Sequence, residues 1–423
     1  MGMTMAEKIL SRHSGGGPVR PGDIVVCEVD MIVQIDLTFA ASQPMPKRIA
    51  DRSKIAVILD HAVPAPTVEN AEGQSIARKF VKDFGIEKFY DVGRGGICHQ
   101  VILENGLALP GQILTCTDSH TCASGAFNCV ARGMGPLEML QIMCTGKTWY
   151  QVAPTVKFEL RGKKPGNVFG KDIFLHLANV AGSVEGHNIE FGGPAVAELT
   201  LDDRATLATM AAELSAEFAT FPADEKLIEH LRTIRTNGEP QFEPAASDPD
   251  AHYAATYDIS LSELRPFVAR PDFIPRNTTA VAELGERIAI DQAFVGSCAN
   301  GKLEDLRIAA KVVRGRKVAP GVRLIVTPAS QRVLKEAVRL GYVETILEAG
   351  GVVTNSTCGA CYGGHMGVLG PKEVCITSST RNFKGRMGSP SARIYMGSSA
   401  TVAASAIAGY ITDPTQYLGD DDE

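Results

Sequence analysis

The chain has 423 residues, against the roughly 150 of a typical domain, and is 44% hydrophobic and 21% charged with a formal net charge of −6. These proportions are those of a folded chain and exclude disorder, and no apolar run reaches the roughly 18 residues of a membrane-crossing helix. The acidic balance and the absence of a dense Lys/Arg block argue against a nucleic-acid partner.

The opening MGMTMAEKIL lacks an apolar signal core, so a cytoplasmic setting is expected, with the ten cysteines mostly reduced. KIAVILDHAVPAP (54–66) reads as a strand entering a turn-rich segment. Residues 69–86 then set Ile76, Phe80, Val81 and Phe84 at helical spacing. GQILTCTDSHT (111–121) is again a strand running into a polar loop. VKFELRG, a helix near 171–180, and AELTLDDRATLATMAAELSAEF continue the alternation. Residues 237–255 have little periodicity and read as a surface connection. From about 285 the rhythm resumes: RIAIDQAFVG a strand, LEDLRIAAKVV a helix, RLIVTPAS a strand, QRVLKEAVRLGYVETILEAG one helix and GGVVTNSTC a strand. The tail GDDDE is expected to be solvated. Strand–helix alternation throughout predicts an α/β fold of three domains, 1–152, 153–284 and 285–423.

Two cysteine sites stand apart. Gly296-Ser297-Cys298-Ala299-Asn300-Gly301 falls where a strand meets a helix, and Cys358-Gly359-Ala360-Cys361 also follows a strand. Carboxyl ends of strands are where open α/β sheets place their ligand crevice. A C-x-x-C pair alone fits a redox couple or half a zinc site. Three thiols together fit a four-iron cluster with one iron lacking a cysteine ligand. Spacing leaves these readings open.

GSCANGKLEDLRIAA, TCGACYGGHMGVLGP, TSSTRNFKGRMG and GQILTCTDSHTCASGAF together resemble the aconitase superfamily, over about residues 3–415. The resemblance implies three α/β domains around a [4Fe-4S] cluster held by Cys298, Cys358 and Cys361, with one iron not ligated by cysteine. It implies a hydro-lyase that dehydrates and rehydrates a 2-hydroxy di- or tricarboxylic acid. An isopropylmalate is the expected substrate, with other malate derivatives or an aconitase- or homoaconitase-like activity as alternatives. A non-catalytic RNA-binding form is the alternative of a different class.

By the same resemblance Asp60, His61, His99, Asp118, His120 and Glu213 are catalytic, and Ser119, Arg381 and Arg386 bind substrate. The chemistry explains the types: hydroxide is a poor leaving group and needs a proton donor, here His61 backed by Asp60. Arginine clamps a carboxylate bidentately. His13, His176, His230 and His252 match no motif, His187 and His365 stay undecided, and the other seven cysteines are expected to pack as small apolar residues. Ile35, Thr209 and Thr380 stand where the family has amide or imidazole side chains, at positions expected near cluster and substrate. Lys302 replaces an arginine. The family's swivelling fourth domain, which carries the carbon-acid base, has no counterpart in these residues, so a small partner subunit is expected to supply it. Two nucleotide-binding patterns fail: Gln141 stands where a P-loop ending in Gly146-Lys147-Thr148 needs glycine, and Gly93-Arg94-Gly95-Gly96 lacks the third glycine of a dinucleotide fingerprint.

Overall fold

The computed structural model describes residues 2–234 and 242–419. The expectations for 237–241 and for the acidic 420–423 lie outside the described residues.

The first unit is a five-stranded parallel sheet in the order Lys88–Tyr90, Ile55–Ile58, Met31–Ile35, Ile113–Cys116, Val130–Gly133. Ile55–Ile58 and Ile113–Cys116 are buried at every position, as strands covered on both faces must be. The helix Val68–Phe84 begins at Thr67, whose side chain accepts from the Asn70 N–H, and ends at Gly85 with φ 65°. Gly73, Gln74, Ala77 and Phe80 form its buried face. An antiparallel ribbon, Ile24–Glu28 with Lys147–Gln151, flanks the sheet. Gly146 is the left-handed cap of the helix Pro136–Thr145, and Lys147 opens a strand, so no phosphate-binding loop exists there.

The second unit is a four-stranded parallel sheet, Ala219–Thr220, Asn188–Gly192, Thr155–Arg161, Ala255–Ser260. The third has seven strands: Thr278–Ala280, Phe267–Ala269, Arg393–Gly397, Val374–Thr377, Gln292–Val295, Arg323–Val326, Val352–Val353. Phe267–Ala269 pairs antiparallel with both its neighbours, and the other pairings are parallel. The sheets therefore do not change over at 284/285. Phe267–Ala269 pairs with Arg393–Gly397, a long-range partnership that local periodicity cannot reveal. The single helix expected over 331–350 is two, Gln331–Arg339 and Tyr342–Glu348, broken where Gly341 takes φ 76°.

Glycine lets the units approach closely. A Cβ on Gly125 would stand 1.5 Å from the carbonyl oxygen of Ala219 in the second unit. One on Gly96 would stand 2.4 Å from that of Ala329 in the third. Among the described residues no helix is long and apolar enough to cross a membrane.

The helix Leu201–Met210 shows how the second unit meets the third. Thr200 and Asp203 form its capping box, and Asp203 also accepts from the Gly170 N–H at 2.8 Å. Asp202 is pressed against the third unit instead, and burial pushes its carboxyl up to about 6, with Lys302 opposing. A carboxyl that ionises near 3.8 when unfolded and only near 6 when folded loses stability as pH rises between those values. Asp202→Asn should therefore be more stable than wild type above pH 6 and match it in strong acid, as urea denaturation at a series of pH values will show.

Candidate active site

Parallel strands of the first and third sheets end at one cavity. Ile55–Ile58 leads to Asp60 and His61, and Ile113–Cys116 to Asp118, Ser119 and His120. Gln292–Val295 leads to Cys298, Val352–Val353 to Cys358 and Cys361, and Val374–Thr377 to Thr380, Arg381 and Arg386. His99 comes from the helix Cys98–Glu104. The cavity of about 190 Å³ is lined by all these residues together with Leu37, Ile97 and Tyr362.

Its acid–base centre is built around Asp118. One Asp118 oxygen lies 2.7 Å from His99 Nε2 and accepts the His120 backbone N–H at 2.8 Å. The other lies 3.4 Å from His61 Nε2. Burial would raise this carboxyl, but the His99 charge and the hydrogen bonds from His120 and His99 hold it well below the usual range. His61 Nδ1 meets Asp60 at 2.7 Å, and the second Asp60 oxygen accepts the Cys98 N–H at 3.0 Å. Burial opposes the imidazolium, yet Asp60 and then Cys358 hold His61 well above its ordinary value. His61 thus has one nitrogen committed to Asp60 and the other beside Asp118 at the cavity.

Glu213 does not line the cavity. It sits behind the wall, accepting from His120 Nε2 at 2.8 Å and from Arg381 Nε at 2.8 Å. Burial would raise its carboxyl; the His120 hydrogen bond and charge, then Arg381, bring it below the ordinary value. In return, Asp118 and Glu213 raise His120 against its own burial.

Cys298, Cys358 and Cys361 are buried, unpaired thiols on one side of the cavity. Burial pushes Cys358 up to about 12, and burial with the two neighbouring thiols pushes Cys298 well up. Cys361 moves the other way: burial raises it, but the Arg386 guanidinium 3.9 Å from its sulfur, the Thr380 hydrogen bonds and the His120 charge together bring it down. Ser297, before Cys298, holds a left-handed φ of 81° although it is not glycine, the strain typical of functional loops. Among the described residues the compact set of single-ion ligands is Asp60, His61 and Cys358, with ligand atoms within 4.8 Å of one another. An ion there would have to break the His61–Asp60 hydrogen bond. The three sulfurs, spread along the cavity wall, suit a bulky cluster. Arg386 Nε, buried and without a partner among the described residues, supports an anionic occupant.

Some expectations shift. Ile35 is a core residue and Thr209 bonds back to Ala205 O at 2.6 Å, so neither lines the cavity; Thr380 does, 3.8 Å from the Cys361 sulfur. His365 meets the His61 carbonyl at 3.0 Å, His187 the Glu185 carbonyl, and His13 pairs with Asp30 at 2.7 Å. Motif reading gave Asp36 no role, yet its carboxylate accepts from the N–H groups of Asp60, His61 and Ala62 at 3.4, 3.1 and 2.8 Å. Its signal was an acidic residue at the end of an apolar strand, which local patterning cannot assign.

Two α/β units whose strand ends converge on three thiols and a histidine–aspartate network, with a third unit packed behind the wall, define an aconitase-type protein. Residues 15–409 match the aconitase family (aconitate hydratase), and the chain belongs to that family. It is 60% identical over 418 residues to the 3-isopropylmalate dehydratase large subunit of Mycolicibacterium smegmatis, covering 99% of this chain and 98% of the relative. It is 45% identical to the 3-isopropylmalate dehydratase large subunit 1 of Methanopyrus kandleri, over 99% of this chain and 100% of that one. Thermococcus kodakaraensis aconitase X (holo-form) shares the fold, with a TM-score of 0.50 and 14% identity over 93% of this chain and 97% of that one. Membership of this family implies a [4Fe-4S] cluster.

Asp118→Asn should lower the titration midpoint of His120, read from its imidazole NMR signals. It should also cost about 3 kcal/mol of stability in urea denaturation, the scale for breaking a buried ionic network.

Proposed function

We propose that this chain is the cluster-bearing large subunit of a hydro-lyase that interconverts 2-isopropylmalate and 3-isopropylmalate, a step of leucine biosynthesis. The observation that carries the substrate is the 60% identity to a relative of that name along nearly the whole of both chains. The site supplies the chemistry: buried thiols, an imidazole and two arginines around one cavity. Cys298, Cys358 and Cys361 would hold the cluster, which when bound would supply Lewis-acid chemistry at an iron free of cysteine.

The chain's own residues handle protons and charge. His61, backed by Asp60, gives its proton to the hydroxyl leaving C2, which departs as water. Re-addition of water at C3 to the resulting alkene completes the isomerisation, with no net redox change. Asp118 fixes His61, His99 and His120 around the cavity that takes the substrate. Arg381, oriented by Glu213, and Arg386 bind the carboxylates. Ser119, on the same wall, offers a hydroxyl to the substrate. The base that removes the C3 proton belongs to the small subunit's swivelling domain, so the large subunit alone is inactive.

The large chain should be co-produced with its small subunit and assayed by the ultraviolet absorbance of the conjugated alkene. The complex should turn over isopropylmalate, and His61→Gln should lower kcat by about 10²–10⁴-fold at unchanged iron and sulfide content. Cys358→Ser should abolish cluster binding. Uptake of zinc alone, or of iron without sulfide, on anaerobic reconstitution would refute the cluster assignment.

A further inference from the structure

Behind the Ser379–Arg381 loop lies a buried cation with no carboxylate bonded to it among the described residues. Lys171, the second residue of the helix Gly170–Ala181, is completely buried. Its ammonium donates to the Ser379 carbonyl at 2.9 Å and lies 3.1 Å from Met210 Sδ and 3.9 Å from Met396 Sδ. No carboxylate pairs with it among the described residues. Its neighbour Asp172 turns away, accepting from the N–H groups of Phe169 and Phe267, each at 3.0 Å. Asp305 is occupied by Asn300, the Lys302 N–H and Ser399. A second buried lysine, Lys302, is held by Thr206 and the Ala299 carbonyl and adds positive charge to the same region.

A buried ammonium given only a carbonyl and two thioethers is poorly compensated for its lost hydration. Burial accordingly brings Lys171 down to about 7, opposed first by Cys298 and also by Asp305 and Cys361. The Ser379 carbonyl that holds the ammonium is followed directly by Thr380, whose hydroxyl lies 3.8 Å from the Cys361 sulfur. A [4Fe-4S] core bound by three thiolates carries net negative charge, the anion this pocket lacks. Ser379, which Lys171 holds, leads directly into Thr380 and Arg381 of the cavity wall.

We propose that Lys171 is the buried counter-charge of the iron–sulfur centre, a positioning residue that balances its thiolates and fixes the Ser379–Arg381 loop beside it. The inference rests on the cluster assignment above. Metal sites depend on such outer partners, whose loss typically costs about 10–100-fold in metal affinity.

Lys171→Met fits the thioether surroundings and removes the charge. Without cluster, the variant should be at least as stable as wild type in urea, because an unpaired buried cation is gone. With cluster, in complex with the small subunit, it should lose the cluster in air about tenfold faster. Its cluster should also have a lower reduction potential, since removing a nearby positive charge disfavours the added electron. Lys171→Arg should restore both. A Lys171→Met protein that fails to fold, or that keeps wild-type cluster lifetime and potential, overturns the proposal. If wild type itself takes up no iron and sulfide, the cluster assignment has failed, which the wild-type control distinguishes.

Discussion

A buried carboxylate with an imidazole on each side holds this site together, because no member can be moved without stranding a charge away from water. Asp118 meets His99 at 2.7 Å and His61 at 3.4 Å, while His120 lies over it and reaches on to Glu213 and Arg381. Asp118 and the three histidines belong to the first sheet's unit, Glu213 to the second and Arg381 to the third. One chain of charge-assisted hydrogen bonds therefore crosses all three units. In a low-dielectric interior each such bond is strong when made and costly when broken. The placement of the units and the protonation of the site are consequently one problem.

Packing delivers the loops to that network. Gly125 and Gly96 let backbones of neighbouring units touch where a methyl group would collide. Asp36 clamps the Asp60–Ala62 turn through three backbone N–H groups, setting the direction of His61. Thr357 does the same from the third unit, donating to the carbonyls of Asp60 and His61 at 2.8 Å. The turn carrying His61 is thus held from both sides, which limits its freedom to drift from the cavity.

Much of this was legible residue by residue. The helix over Leu303–Val313 and the strand Ile55–Ile58 follow from periodicity and apolar runs. Cys298, Cys358 and Cys361 follow strand ends among glycines, and Asp60, His61, His99, Asp118 and His120 stand in motifs that the family resemblance picks out. Glu213 was visible only by resemblance, since in isolation it reads as an exposed helical acid. Ile35 and Thr209 were misplaced because a motif position gives neighbourhood without side-chain direction. Asp36 and Lys171 went unremarked because a clamp and a buried counter-charge are defined by partners distant in sequence.

By itself the sequence determined the α/β class and set two cysteine sites after strand ends. These depend on local spacing and residue type, which hydrophobic periodicity and thiol chemistry make explicit. Only the tertiary structure decided that Phe267–Ala269 joins the third sheet and that the helix after Gln331 breaks at Gly341. It also decided that Glu213 lies behind the wall and that Lys171 is buried against the Ser379 carbonyl beside it. Each of those outcomes is set by contacts between residues far apart in the chain, where burial and pairing override local preference.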